Sequence, residues 1–267
     1  MTETTSPTQR VLVFGDDGSP GADVAWLWIC NHRWPEWRAD VLTAIEPPIP
    51  GRSSDHAAVL TEWESPHSRH LFAESAIGSI RTLTAVQDPR LMLDARSDAD
   101  LIVVGPRRLS RTKAMVLGST TEWLLHHPPA PLAIVRSATT VRRVLACVDG
   151  STHAQAAVQA FTTFPWARDV EVFVVKAHEG RPTNTGIPEA LASLESVGIN
   201  ATVDAVEGSP TDMILHQIEV REPQLVVLGT RGLTGWKRLR VGSTAGMVVR
   251  GVECSVLVAC ADNEVDQ

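Results

Sequence analysis

Residues Gly229 to Thr244 read GTRGLTGWKRLRVGST and follow directly on the apolar run Leu225–Leu228. A short apolar run closed by glycine reads as a buried parallel strand entering a turn. The turn offers Gly229-x-x-Gly232, nine further residues, and then Gly242-Ser243-Thr244 ahead of a helix. The same arrangement occurs once before: Gly105 to Thr120 read GPRRLSRTKAMVLGST, and at a constant offset of 124 the two stretches share seven of sixteen residues. A second match, at offset 132, pairs Asp17-Gly18-Ser19 with Asp149-Gly150-Ser151 and extends to Ala22/Ala154 and Ala25/Ala157. The chain is therefore read as a duplication, with the second copy eight residues shorter between its landmarks.

Outward from these landmarks, apolar runs recur in both copies. Val11–Phe14, Val41–Ile45, Leu83–Val86, Leu101–Val104 and Leu132–Val135 are strand candidates in the first; Val144–Val148, Val170–Val175, Ala201–Val206, Leu225–Leu228 and Val256–Val258 are those of the second. Helix signals lie between them. Ser19 and Ser151 are placed to cap a first helix, Pro89 and Pro210 to sit in an early turn of a third, and Ser119 and Ser243 to cap a fourth. Strand alternating with helix predicts an α/β fold of two domains, residues 8–138 and 141–262, joined near Ser137–Thr140. Each is expected to hold a five-stranded parallel sheet of order 3-2-1-4-5 with helices on both faces. Glu46–Ser54 and Arg181–Gly186 read as loops.

In such a sheet a ligand sits beyond the carboxyl ends of the strands, where the connections diverge. Both repeated motifs close adjacent strands at that point. Glycines let the backbone approach an anion, and the free amides at a helix start near Ser243 point their positive ends toward it. The window around the second motif carries Arg231, Lys237, Arg238 and Arg240 with no acid, and the first carries Arg107, Arg108, Arg111 and Lys113. A local +4 stands out in a chain whose 24 basic and 31 acidic residues give 24 − 31 = −7. This favours a compact polyanion such as a nucleotide phosphate chain. The plainer alternative is that these residues only turn the chain and cap a helix. Asp17 and Asp149 are likewise either turn residues or acceptors for the ribose or adenine end of a ligand.

The overall acidity argues against nucleic acid and anionic lipid as partners. No segment reaches the roughly 18 uninterrupted apolar residues that a membrane helix needs, and no signal peptide is recognisable at the start, so a cytoplasmic location is expected. Four scattered cysteines read as reduced, mostly buried thiols. Trp26, Trp28, Trp34 and Trp37 read as packing or a partner surface. His67 and His70 lie one helical turn apart but lack a third ligand, so no metal site is assigned. His126 is expected to end a helix. Ser19 and Ser151 lack the context of a nucleophile elbow, and no catalytic residue is assigned.

The pattern G-x2-G-x9-G-[ST], together with Asp-Gly-Ser after the first strand, resembles the universal stress protein family, and its duplication resembles the tandem members. The resemblance spans roughly residues 8–260. It implies Rossmann-like domains of the adenine nucleotide α-hydrolase-like type and a bound ATP, often with Mg2+. On the second copy it maps onto Asp149, Gly229, Gly232, Gly242, Ser243 and Thr244, with Arg231 inside the loop and Ala177 as the main-chain contact for adenine. On the first copy it maps onto Asp17, Ala44, Gly105, Gly118 and Ser119, with Arg108 where the second glycine should stand. It further implies that the two domains pair through their last strands, and it leaves a homodimer open. The function expected is a nucleotide-dependent regulator in a stress response. A nucleotide-free interaction module or a weak ATPase is the alternative.

Overall fold

The computed structural model describes residues 9–45, 76–106, 117–126, 128–178, 186–230 and 241–261. Its ten strands are β1 (Arg10–Gly15), β2 (Trp34–Ile45), β3 (Ile77–Val86), β4 (Leu101–Val104), β5 (Leu132–Ile134), β6 (Arg143–Cys147), β7 (Glu171–His178), β8 (Ala201–Glu207), β9 (Leu225–Gly229) and β10 (Ser255–Ala259). They form one continuous sheet of order β3-β2-β1-β4-β5-β10-β9-β6-β7-β8. Each half has the expected 3-2-1-4-5 order with parallel neighbours, and the halves meet where β5 runs antiparallel to β10, Ala133 facing Leu257. The exposed backbone groups of two last strands satisfy one another there, as the resemblance implied.

The described helices are α1 (Pro20–Cys30), α2 (Pro89–Asp94), α3 (Ser119–His126), α4 (Thr152–Thr162), α5 (Ile187–Glu195), α6 (Pro210–Arg221) and α7 (Ser243–Gly251). Strand residues alternate between two buried layers. Val144 and Ala146 belong to the layer that also holds residues of α1, α4 and α5, whereas Leu145 and Cys147 belong to the layer that holds residues of α2, α3, α6 and α7. Both faces are thus covered, which is why the central strands are apolar without interruption. Ser19 and Ser151 cap α1 and α4, each hydroxyl accepting from the amide three residues on. Pro89 and Pro210 open α2 and α6.

Three expectations need correction. First, β2 begins at Trp34 and β3 at Ile77, well before the apolar runs that announced them. The early part of β2 hides a polar residue, Asp40, whose carboxylate is wholly buried and bonded by Arg38, Arg81 and Arg96. β3 is an edge strand with exposed alternate positions. Second, Ser119 and Ser243 are the first helical residues rather than the caps; Gly242 holds an extended conformation (φ −66, ψ 153) and caps α7 without a side chain. Third, of the four free cysteines only Cys147 is buried and the others are half-buried.

The halves are also joined by an aromatic seam. Trp28 of the first half meets Trp166 of the second edge-on and His32 meets it at a tilt, with centroids 5.8 and 4.4 Å apart, and Trp34 and Trp37 pack edge-on against Phe164. The tryptophans therefore serve packing, each contact adding to the large apolar area that such rings bury. His32 Nδ1 lies 2.6 Å from the Trp28 carbonyl, and Nε2 accepts from the Val141 amide at 3.0 Å. Near the β5–β10 seam, the buried Arg136 donates to the carbonyls of Val249 and Cys254, capping the end of α7 from the other half.

Candidate functional site

In each half the first and fourth strands of the copy lie side by side, β1 with β4 and β6 with β9, and their carboxyl ends form the switch point at which a doubly wound sheet takes its ligand, the crevice of that half. In the second crevice β6 runs into Asp149-Gly150-Ser151. Gly150 adopts φ +88, and the half-buried Asp149 carboxylate accepts from the Ser151 amide at 2.9 Å. The Val148 amide bonds the Val175 carbonyl at 2.9 Å, so pairing with β7 runs up to the residue before Asp149, and Ala177 lies two residues further along β7. The start of α5 closes over this turn: a Cβ on Gly186 would lie 2.5 Å from the Gly150 nitrogen.

On the neighbouring strand, Gly229 ends β9 against the start of α4. The Thr230 amide donates to the Ala259 carbonyl at 2.9 Å, and its own carbonyl accepts from the Gly242 amide at 2.7 Å. The chain on either side of residues 231–240 is pinned at one point by that bond. Thr230 is 0% exposed, and its hydroxyl has no hydrogen-bond partner among the described residues. The Gly246 amide closes the first turn of α7 on the Gly242 carbonyl, which leaves the amides of Ser243, Thr244 and Ala245 without acceptors in the helix. These groups, with the hydroxyls of the exposed Ser243 and half-buried Thr244, form the mouth of the crevice.

The first crevice repeats the plan with different charge. Asp17 is exposed and accepts from Ser19 at 3.0 Å; the buried Asp16 accepts from Gly18 at 2.9 Å. Ala44 pairs with Ala85 near the end of β2, Gly105 follows β4, and the Glu122 amide donates to the Gly118 carbonyl at 2.8 Å ahead of Ser119. Of the expected site residues, Asp149, Gly229, Gly242, Ser243, Thr244 and the backbone of Ala177 come together at one end of β6, β7 and β9. Asp17, Ala44, Gly105, Gly118 and Ser119 hold the matching places in the first half. Arg231, Gly232 and Arg108 lie outside the described residues, as do His67, His70 and the remaining basic residues of both loops.

Sequence reading missed four residues here. Lys176, 4% exposed, is a charge buried at the end of β7. Its signal was a basic residue inside the apolar run VFVVKA. Asp16 was overshadowed by Asp17. His153 receives the Ala261 amide on Nδ1 at 2.9 Å, tying the end of the last strand to α4, and Thr230 had no sequence signal. Among the described residues no group of three or more His, Cys, Asp or Glu could hold a metal ion, and no helix is long and apolar enough to cross a membrane.

Doubly wound halves, fused through their last strands and each bearing a crevice at the switch point, define a tandem Rossmann-like α/β protein. The chain belongs to the universal stress protein family, whose family model matches residues 8–136 and 183–259. A universal stress protein of Mycobacterium tuberculosis is 28% identical over 298 aligned residues, covering 93% of this chain and 95% of that protein. One from Mycolicibacterium smegmatis is 22% identical, covering 95% and 98%. The crystal structure of a universal stress protein from Archaeoglobus fulgidus superposes with a TM-score of 0.76 over 95% of this chain and 99% of that one, at 21% identity.

Proposed function

We propose that this universal stress protein binds ATP in its second crevice and uses the nucleotide as a signal in a stress response. The observation that carries the reading is the start of α7: three amides without acceptors in the helix, two hydroxyls and a helix dipole meet at the switch point beside the Asp149 turn. The donors fit phosphate oxygens. Gly232 and Gly242 admit the phosphates to the backbone, Ser243 and Thr244 bond them, and Arg231 adds positive charge. Asp149 accepts from the ribose and the Ala177 main chain meets adenine. In the first crevice Asp17, Ala44, Gly105, Arg108, Gly118 and Ser119 take the corresponding places. Mg2+ would enter on the phosphate oxygens, since no described cluster holds a divalent ion alone.

The working unit is the fused pair of domains, 8–138 and 141–262, acting in the cytoplasm by binding rather than turnover, alone or as a homodimer. Calorimetry with MgATP tests the reading. Uptake at roughly micromolar Kd, weakened by Asp149→Asn and by Ser243→Ala while the melting temperature holds, supports it. Absence of heat together with absence of nucleotide in the purified protein overturns it, and a phosphate-release assay faster than background would replace binding by catalysis.

A further inference from the structure

Among the described strands, β3 and β8 close the two ends of the sheet, each with a neighbour on one side only. Folded proteins guard such edges with short strands, charges, proline or bulges, because a row of unpaired amides and carbonyls recruits further strands. β8 fits that description: it has seven residues, and Asp204 and Glu207 put two acids among them. β3 does not. It runs for ten residues, Ile77–Val86, without proline or acid, and pairs in unbroken register with β2 from Ser79 to Val86. Gly78, Ser79, Arg81, Thr82, Thr84 and Val86 are exposed, Val86 at 55%, so the edge is open to solvent. Its single charge leaves it unguarded as well. Arg81 reaches inward across the sheet, and its Nε and Nη2 donate to the buried Asp40 carboxylate of β2 at 3.2 and 2.7 Å.

The order of residues along β3 is complementary to a second copy of itself. Two copies joined edge to edge into one continuous sheet are related by a two-fold axis normal to that sheet. Opposed residues then share a face, so their numbers differ by an even count and the axis passes through one residue. Two such registers engage nine of the ten residues. Centred on Arg81, the pairing sets two guanidinium groups directly opposite, which is unfavourable. Centred on Thr82, it sets Thr82 against Thr82, Arg81 against Leu83, Ile80 against Thr84, Ser79 against Ala85, and the exposed Val86 over Gly78. No like charges are then opposed, and β-branched residues meet across the strands. The chain already makes one joint of this kind, the antiparallel pairing of β5 with β10 over three residue pairs.

We infer that β3 is the surface through which two copies of this chain associate, antiparallel and centred on Thr82, so that one sheet runs through both. A contact of β3 with β8 of another copy would repeat head to tail without closing, whereas β3 on β3 closes at two. The inference does not depend on the nucleotide reading; it names the edge by which the homodimer forms.

The test uses the full chain without nucleotide. Sedimentation velocity across roughly 1–100 μM, the Kd range of modest association energies, should show the mass of one chain giving way to that of two. Thr82→Lys opposes two lysines at the axis and should weaken the dimer at least about tenfold, with the melting temperature of the dilute protein unchanged. Thr202→Lys, at an exposed position of β8, should leave association as it was. Cysteine variants read the register and serve where the lysine variant fails to fold. Opposed residues of an antiparallel pair stand about 4.5–5.5 Å apart between Cα atoms, within reach of a disulfide. With oxidised glutathione, Thr82→Cys should therefore link to itself, while Thr84→Cys, set against Ile80, should stay at the wild-type level on nonreducing electrophoresis. The mass of one chain at every concentration, a series of masses beyond two, or a dimer that survives Thr82→Lys would overturn the inference. So would a dimer lost on Thr202→Lys, or equal crosslinking at positions 82 and 84.

Discussion

A Cβ placed on Gly229 would lie 2.5 Å from the backbone nitrogen of Ala154, so the end of β9 and the first turn of α4 touch through a gap that only glycine leaves open. The pseudo-equivalent Gly105 is tighter still, at 2.2 Å from the Gly21 carbonyl oxygen. Both contacts are backbone on backbone and have no flexible end to give way. Gly229→Ala is therefore expected to lower stability by roughly 1–3 kcal/mol through overpacking, measured by urea unfolding without any nucleotide. An unchanged midpoint would show that the helix withdraws freely. Ser243→Ala, at the exposed mouth, should leave stability nearly intact and is the cleaner probe of phosphate binding.

Acid should loosen the contact between the halves at His32. The ring is 3% exposed, its Nε2 is committed to accepting from Val141, and burial pushes its pKa below the ordinary value of 6.5. Because the unfolded chain takes up this proton first, stability is full above about pH 6.5 and declines as pH falls toward the folded value. His32→Gln should reduce the slope of stability against pH between 7 and 5. Melting curves of both proteins across that range decide it, and parallel slopes would remove His32 as the cause.

The buried Asp40 tests how much of β2 depends on charge. Burial alone would raise its pKa, but the hydrogen bonds from Arg81, Arg96 and Arg38 outweigh burial and hold the carboxyl below its usual 3.8. The contribution is therefore present above that usual value and is lost as pH falls through the folded one. Asp40→Ala should cost about 2–4 kcal/mol at pH 7, since it strands the buried side of three guanidinium groups. Denaturant titrations should show the gap from wild type narrowing below pH 3.

Thiol chemistry should be slow in the folded protein. Burial pushes Cys147 up to about 12 and Cys30 and Cys254 to about 11. At pH 8 these three should alkylate at least about 100-fold more slowly than a free thiol, whose reactivity follows its thiolate fraction. Mass spectrometry of iodoacetamide-treated protein, native and then in urea, reads this directly. Rapid labelling of Cys147 without denaturant would contradict the buried position.

The strand order was legible because parallel strands covered on both faces need apolar residues at every position, and Val11–Phe14, Leu101–Val104 and Leu225–Leu228 carry that mark plainly. Asp-Gly-Ser likewise announced a turn and a capping serine, and both copies deliver them, with Gly18 and Gly150 at positive φ. The first half of β2 was hidden because what makes Asp40 tolerable is supplied by Arg81 and Arg96, 41 and 56 residues away in sequence. Nothing local could reveal that pairing. The glycines teach a subtler point. Gly105 and Gly229 were attributed to the needs of a phosphate, yet helix packing alone demands them, and their presence weighs less for a ligand than that of Gly242. Lys176 escaped notice because one basic residue in an apolar run looks like a strand end until the sheet shows it buried beside the switch point.

The antiparallel join of β5 with β10 turns one half of the sheet head to tail with the other, so the two mouths look out from opposite rims of the molecule. A flat surface laid over one mouth is therefore turned away from the other, and the two rims are separated by the full length of the strands.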